Sequence, residues 1–164
     1  TVDLTALVND ILDDFELKIN EKNAVVKTER LPVVEANPGQ MRQVFQNLLS
    51  NSLKFCRKDT DPLIVISQEE LNEADVSEFP GPATDYCKIS IADNGIGFDN
   101  QYSSLIFSLF EKLHSKDTYD GTGIGLAITK KIIEKHKGYI SATGFEGQGA
   151  TFTIVLPIKQ ATRP

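Results

Sequence analysis

Residues 43–55 read QVFQNLLSNSLKF, and the spacing inside and just ahead of this stretch sets the architecture. Pro38 fits the first turn of a helix, and Met41, Val44, Phe45, Leu48, Leu49 and Ser52 then recur at three- and four-residue intervals. Such a stripe is one apolar side of a helix, suited to packing on a sheet. The opposite flank is polar in a particular way. At about 100° per residue, Asn47, Asn51 and Lys54 fall within about 60° of one another, centred about 120° from the middle of the apolar stripe. Two amides and an ammonium therefore share one flank of this helix.

Upstream, Asp3 is a good helix N-cap, followed by Leu4, Leu7, Val8, Ile11, Leu12 and Phe15 at helical spacing. Residues 23–29 read as a short strand, and Leu31 to Val34 lead into the turn Asn37-Pro38-Gly39. Downstream, residues 63–66, 88–92, 139–142 and 151–156 have strand character. Residues 103–113 carry apolar spacing suited to a short helix. Residues 124–137 form another, with Ile128, Ile132 and Ile133 on one side and Lys135, His136, Lys137 and Gly138 at its end.

Composition narrows the class. In 164 residues, 17 Lys+Arg against 23 Asp+Glu give 17 − 23 = −6, with 40% hydrophobic and 24% charged residues, the profile of one globular domain over residues 1–164. All of the imbalance sits in residues 67–86, which hold Glu69, Glu70, Glu73, Asp75, Glu78 and Asp85 with no basic residue. With the breaker Pro80-Gly81-Pro82, that segment is expected to be a solvated loop between two strands. The near-neutral remainder argues against a nucleic-acid surface. Cys56 and Cys87 lack metal-ligand spacing and suit a reducing compartment. No apolar stretch approaches the roughly 18 to 20 residues of a membrane span, and no basic segment followed by a hydrophobic run opens the chain. The expectation is a cytoplasmic domain. Thr1 at the start and Met41 as the single methionine suggest a segment of a longer protein.

Three glycine clusters carry the chemistry. Asp93-Asn94-Gly95-Ile96-Gly97-Phe98 follows a strand, where an acid and two glycines can bring backbone close to a ligand, although DNG is also an ordinary turn. Gly121-Thr122-Gly123-Ile124-Gly125-Leu126 leads into a helix, whose free N–H groups suit a phosphate. It matches neither GxxxxGK[ST] nor the dinucleotide fingerprint. Gly147-Gln148-Gly149 reads by itself as a hairpin turn.

Taken in order, QVFQNLLSNSLKF, DNGIGF, IFSLF (residues 106–110), GTGIGL and GQGATF resemble the asparagine, glycine and aromatic boxes of the ATP-binding catalytic domain of sensor histidine kinases, over nearly the whole chain. The resemblance implies the Bergerat ATP-binding fold of the GHKL superfamily: an α+β two-layer sandwich of a mixed, mostly antiparallel sheet and helices. The mixed order of helices and strands agrees with that class.

The resemblance also implies a site. Asn51 would bind the Mg²⁺ of ATP, with Asn47 and Lys54 beside the phosphates, and one amide oxygen suffices for an ion that keeps several waters. Asp93 matches the carboxylate that accepts from the adenine amino group and so rejects guanine. Gly95 and Gly97 would let the chain pass close to the base, Phe98 would form an apolar wall, and Thr151 would act near the adenine through water. Residues 111–120 correspond to a lid in which Lys112 aligns with a basic position near the γ-phosphate. Gly121, Thr122, Gly123, Ile124, Gly125 and Leu126 form the second glycine box. Neither His114 nor His136 matches the phosphoacceptor, which the family carries on a separate helical hairpin.

GHKL hydrolases such as type II topoisomerases, Hsp90 chaperones and mismatch-repair ATPases carry a glutamate where this chain has Asn47, and an amide is no general base. Phosphoryl transfer from Mg-ATP to a histidine of a dimerisation domain is therefore the expected function, ahead of hydrolysis or a non-catalytic nucleotide-sensing role. The expected partners are that hairpin and a response regulator, with the isolated domain monomeric and the full protein a homodimer. Residues 31–55 further resemble kinases that follow PAS or phytochrome-type sensory regions.

Overall fold

A computed structural model describes residues 1–108 and 125–160. A five-stranded sheet of order β2-β4-β5-β7-β6 forms one layer: β2 (Val25–Thr28), β4 (Leu63–Glu69), β5 (Tyr86–Asp93), β6 (Tyr139–Phe145) and β7 (Gly149–Pro157). β2 runs parallel to β4, and the other neighbours are antiparallel. The second layer is helical: α1 (Leu4–Asp14), α2 (Glu16–Glu21), α3 (Pro38–Lys54) and α4 (Gly125–Lys135), with α3 touching both α1 and α4. The expected α+β sandwich is the fold observed.

Local chemistry explains the helix starts. Asp3 accepts from the N–H groups of Thr5 and Ala6, and Asn37 accepts from that of Gln40 at 3.0 Å with Pro38 in the first turn of α3. Met41, Val44, Phe45, Leu48, Leu49 and Ser52 are all buried, as the stripe requires. They meet Ile64 and Ile66 of β4, Ile89 and Ile91 of β5, and Phe152 and Ile154 of β7 in one core. Arg42, on the outer side of α3, pairs with Asp10 at 2.6 Å and with Asp14, tying α1 to α3. Both cysteines are free, and burial pushes the Cys87 thiol up to about 11.

Tertiary context added or altered three elements. Val2–Asp3 (β1) and Val33–Val34 (β3) pair as a two-stranded ribbon, too short for a periodic signal. The expected helix over 103–113 is, in its described part, two 3-10 turns, Asn100–Tyr102 and Leu105–Phe107. Asp99 caps the first by accepting from Gln101 N–H, and Ile106 and Phe107 both turn inward, Phe107 meeting Phe152 edge-on with ring centroids 6.1 Å apart. Residues 109–113 lie outside the described residues.

The acidic stretch 67–86 is not a plain solvated loop either. β4 runs on to Glu69, and two 3-10 turns follow, Glu73–Val76 and Ala83–Asp85. Val76, Tyr86 and Val155 form a satellite core with Leu71, Phe79 and Ala83, and the Tyr86 hydroxyl donates to Pro80 O at 2.6 Å. Lys88 gathers Asp75 at 3.3 Å and Glu69 at 3.7 Å. Tyr86, Lys88 and Val155 lie on the sheet face away from the helices, and the segment folds over that corner to cover them.

Because Phe45 is wholly buried at the centre of α3, Phe45→Ala is expected to cost about 3–5 kcal/mol, checked by urea unfolding.

Candidate nucleotide-binding site

Asp93 ends β5 on the helix side of the sheet, in line with Ile89 and Ile91. Its Oδ1 accepts from Gly95 N–H at 2.9 Å and Ala150 N–H at 3.3 Å, and its Oδ2 accepts from Ser52 Oγ at 3.2 Å. The three donors come from the turn after β5, from β7 and from α3. Burial pushes the carboxyl above the usual carboxylate range, and the three hydrogen bonds only partly offset this. Ser52 was legible in sequence only as a member of the apolar stripe; the register of α3 against β5 is what gives its hydroxyl this role.

The turn beyond Asp93 is held too closely for side chains. A Cβ on Gly95 would stand 2.3 Å from Phe55 O, the same carbonyl that accepts from Ile96 N–H at 2.9 Å. Gly97 sits at φ +63, and a Cβ there would stand 2.1 Å from Phe145 O. Asn94 ties the turn to the entry of β4: its Oδ1 accepts from Leu63 N–H at 2.8 Å and its Nδ2 donates to Asp61 O at 3.1 Å. Phe98 is buried in the core, its ring packed so close to Gly144 that a Cβ there would stand 2.7 Å away.

Thr151 departs from the sequence expectation. It pairs with Ala92 and Thr143, and since strand side chains alternate, it projects from the face opposite Asp93. The residue of β7 facing the carboxylate side is Ala150, paired with Asp93 itself. A hydroxyl at 151 therefore does not reach the face that carries Asp93.

Asn47, Asn51 and Lys54 are each partly buried on α3. Asn47 Nδ2 donates to Gly125 O and Thr129 Oγ1, both at 3.3 Å, and Thr129 Oγ1 donates to Gly125 O at 2.9 Å. The amide flank thus fastens the start of α4, placing Gly125 and Leu126 beside the asparagine helix. Lys54 Nζ lies 5.9 Å from the centroid of the Phe55 ring. His136 is buried: Nε2 accepts from Asn37 N–H at 3.1 Å, so Nδ1 carries the proton and donates to Ile132 O at 2.8 Å. Both nitrogens are used, a structural role. Lys112, His114, Gly121, Thr122, Gly123 and Ile124 lie outside the described residues.

A partly buried acceptor at a strand end, a turn packed tightly at Gly95 and Gly97, and an amide-lined helix meeting a helix start lie on one side of the sheet. Residues 36–160 match the family of histidine kinase-, DNA gyrase B-, and HSP90-like ATPases. The chain belongs to that family. Among its curated members, cyanobacterial phytochrome A of Nostoc sp. strain PCC 7120 is 42% identical over 147 residues, 90% of this chain and 18% of that protein. The sensor protein kinase WalK of Staphylococcus saprophyticus is 33% identical over 160 residues, 95% of this chain and 24% of that protein. The chain thus spans about a fifth of the length of these relatives. The solved catalytic domain of the histidine kinase ThkA superposes with a TM-score of 0.71 at 25% identity, covering 96% of this chain and 94% of that one. Full-length ShkA, solved with AMPPNP, shares the fold with a TM-score of 0.76, over 99% of this chain and 32% of that one.

An ionised Asp93 can only accept, which suits an amino group; once protonated it also offers an O–H to a carbonyl. The sign follows from the raised pKa. Protonation sets in at a higher pH than for an ordinary aspartate, and the acceptor-only form is lost as pH falls. The ratio of ADP to GDP affinity is expected to fall as pH is lowered, and to begin falling at a higher pH than an ordinary aspartate would dictate, in titration calorimetry; the shared diphosphate cancels from the ratio.

Proposed function

We propose that this domain binds Mg-ATP between α3, the turn after β5 and the start of α4, and donates the γ-phosphoryl group to a histidine on a separate helical dimerisation domain of the same kinase. The observation that carries the reading is the partly buried Asp93 carboxylate, with Oδ1 held by the Gly95 and Ala150 N–H groups and Oδ2 by the Ser52 hydroxyl, which leaves Oδ2 a second lone pair for a further donor. The exocyclic amino group of adenine is such a donor.

The residues present fit the metal as well. Asn51 lies one turn beyond Asn47 on the flank facing the phosphate end, and an amide oxygen is a suitable hard ligand. The chemistry such a cation supplies is bridging of phosphate oxygens and neutralisation of their charge. Asn51 would hold it, Lys54 would add a point charge and Lys112 another. Asn47 spends its amide hydrogens on Gly125 and Thr129 and has no basic group to activate a water. Catalysis is then positioning, with the attacking imidazole supplied by the partner hairpin. Downstream transfer to a response regulator, a homodimeric parent and a cytoplasmic site of action complete the proposal. Among the described residues no helix is long and apolar enough to cross a membrane.

Titration with ADP and a non-hydrolysable ATP analogue, with and without Mg²⁺ and against a GTP analogue, tests the site. Asp93→Ala is expected to lose about tenfold or more in affinity together with the preference for adenine, as removal of a charge-assisted hydrogen bond requires. Asn51→Ala should lose only the increment that Mg²⁺ provides. With the hairpin supplied in trans, radiolabel from γ-labelled ATP should appear on it in an acid-labile, alkali-stable form. Variants that bind Mg-ATP like the parent would overturn the assignment.

A further inference from the structure

Arg57 stands two residues past Phe55, just beyond the end of α3, where neither the motifs nor the comparisons give it a role. Its Nε donates to Asn94 O at 2.9 Å and its Nη1 donates to Gly147 O at 3.0 Å. Among the described residues it pairs with no carboxylate. The guanidinium instead spans two backbone carbonyls from two separate turns, Asn94 in the turn after β5 and Gly147 in the β6–β7 hairpin.

We propose that Arg57 is a positioning residue for adenine recognition, fixing the orientation of the Asp93 carboxylate by clamping those two turns together. The inference rests on the nucleotide site proposed above. The two N–H groups that hold Asp93 Oδ1 belong to Gly95, the residue after Asn94, and to Ala150, three residues after Gly147. Each donor therefore hangs from a segment whose carbonyl Arg57 grips. The ring is closed by backbone: Gly147 N–H donates to Ile96 O at 2.7 Å, and Ile96 N–H donates to Phe55 O at 2.9 Å. The loop carrying Arg57, the Asp93 turn and the hairpin thus form one cycle of hydrogen bonds, with the guanidinium as its single side-chain link.

A planar fork suits this task because it sets the separation and the relative tilt of two acceptors at once. A lysine ammonium is a point charge on a flexible stem and fixes neither. If the spacing between the Gly95 and Ala150 donors drifts, Asp93 rotates, and the Oδ2 lone pair aimed at the amino group loses its direction. Recognition of the base depends on that direction, whereas the Mg²⁺-dependent grip on the phosphates, on α3, does not.

The test is calorimetric titration of ADP and GDP into the parent, Arg57→Ala, Arg57→Lys and the exposed-neighbour control Lys58→Ala, each with and without Mg²⁺, with thermal unfolding run in parallel. Arg57→Ala is expected to lower ADP affinity about 5- to 30-fold, the range set by one or two kcal/mol, and to shrink the ADP-to-GDP ratio by a similar factor. The enhancement by Mg²⁺ should stay at the parent value, Arg57→Lys should recover less than half of the loss, and Lys58→Ala should bind like the parent. A purely structural role would weaken ADP and GDP equally, in step with Tm, and leave the ratio unchanged; that result overturns the proposal, as does an unaltered Arg57→Ala. If Arg57→Ala does not fold, Arg57→Lys, which keeps charge and stem, decides by the same ratio. A folded parent that fails to bind ADP overturns the nucleotide site and this inference with it; binding by the parent with an unchanged ratio in the variants overturns this inference alone.

Discussion

The carboxylate of Asp93, taken partly out of water and held by three donors from three elements, is the constraint around which the rest is arranged. Burial raises its pKa, so ionising it in the free domain works against folding, and that cost is offset elsewhere in the fold. The offset is visible in the surroundings: the Ser52 hydroxyl of α3, the Gly95 N–H in the turn after β5, and the N–H of Ala150 in β7, all directed at the acid. A directional acceptor is worth this expense where a donor must be told from an acceptor on a ligand.

α3 connects this constraint to the other end of the site. One side of the helix is sealed in the core by Phe45, Leu48 and Leu49, while its polar flank meets the start of α4 through Asn47, Gly125 and Thr129. A displacement of α3 therefore moves the Ser52 donor and the amide flank together. His136 adds a second clamp between the same helices, joining the C-terminal end of α4 to the N-cap of α3 through Asn37. The Asp93 acceptor and the amide flank of α3 are thus tied to the same helix, above a sheet whose central strand carries the acid.

Much of this was legible in residues alone. The three- and four-residue spacing through Met41, Val44, Phe45, Leu48 and Leu49 announced a helix lying on a sheet, and the strand at Ile89 and Ile91 announced where the acid would emerge. Asp93, Gly95, Gly97, Asn47 and Asn51 could be singled out because they fall in asparagine and glycine clusters whose order along the chain resembles that of histidine kinase catalytic domains. Residues whose type is ordinary stayed silent. Ser52 counts as a small member of an apolar stripe, Arg57 as a surface cation, and the acidic stretch as solvent-facing, until their partners at distant positions are known.

The case of Thr151 shows where the boundary runs. Sequence established that a threonine follows the glycine pair, yet which face it occupies depends on register, and a shift of one residue exchanges the faces of a strand. Only the pairing of Ala150 with Asp93 and of Thr151 with Ala92 decides it. By itself the chain determined its longer helices and strands, their apolar sides and the residue types able to accept from a base or hold a cation, because those follow from periodicity and from the chemistry of single side chains. The tertiary structure decided that Ser52 and Ala150 meet Asp93, which face Thr151 takes and what Arg57 grips, because each of these is a contact between segments tens of residues apart, and no local rule fixes a distance between them.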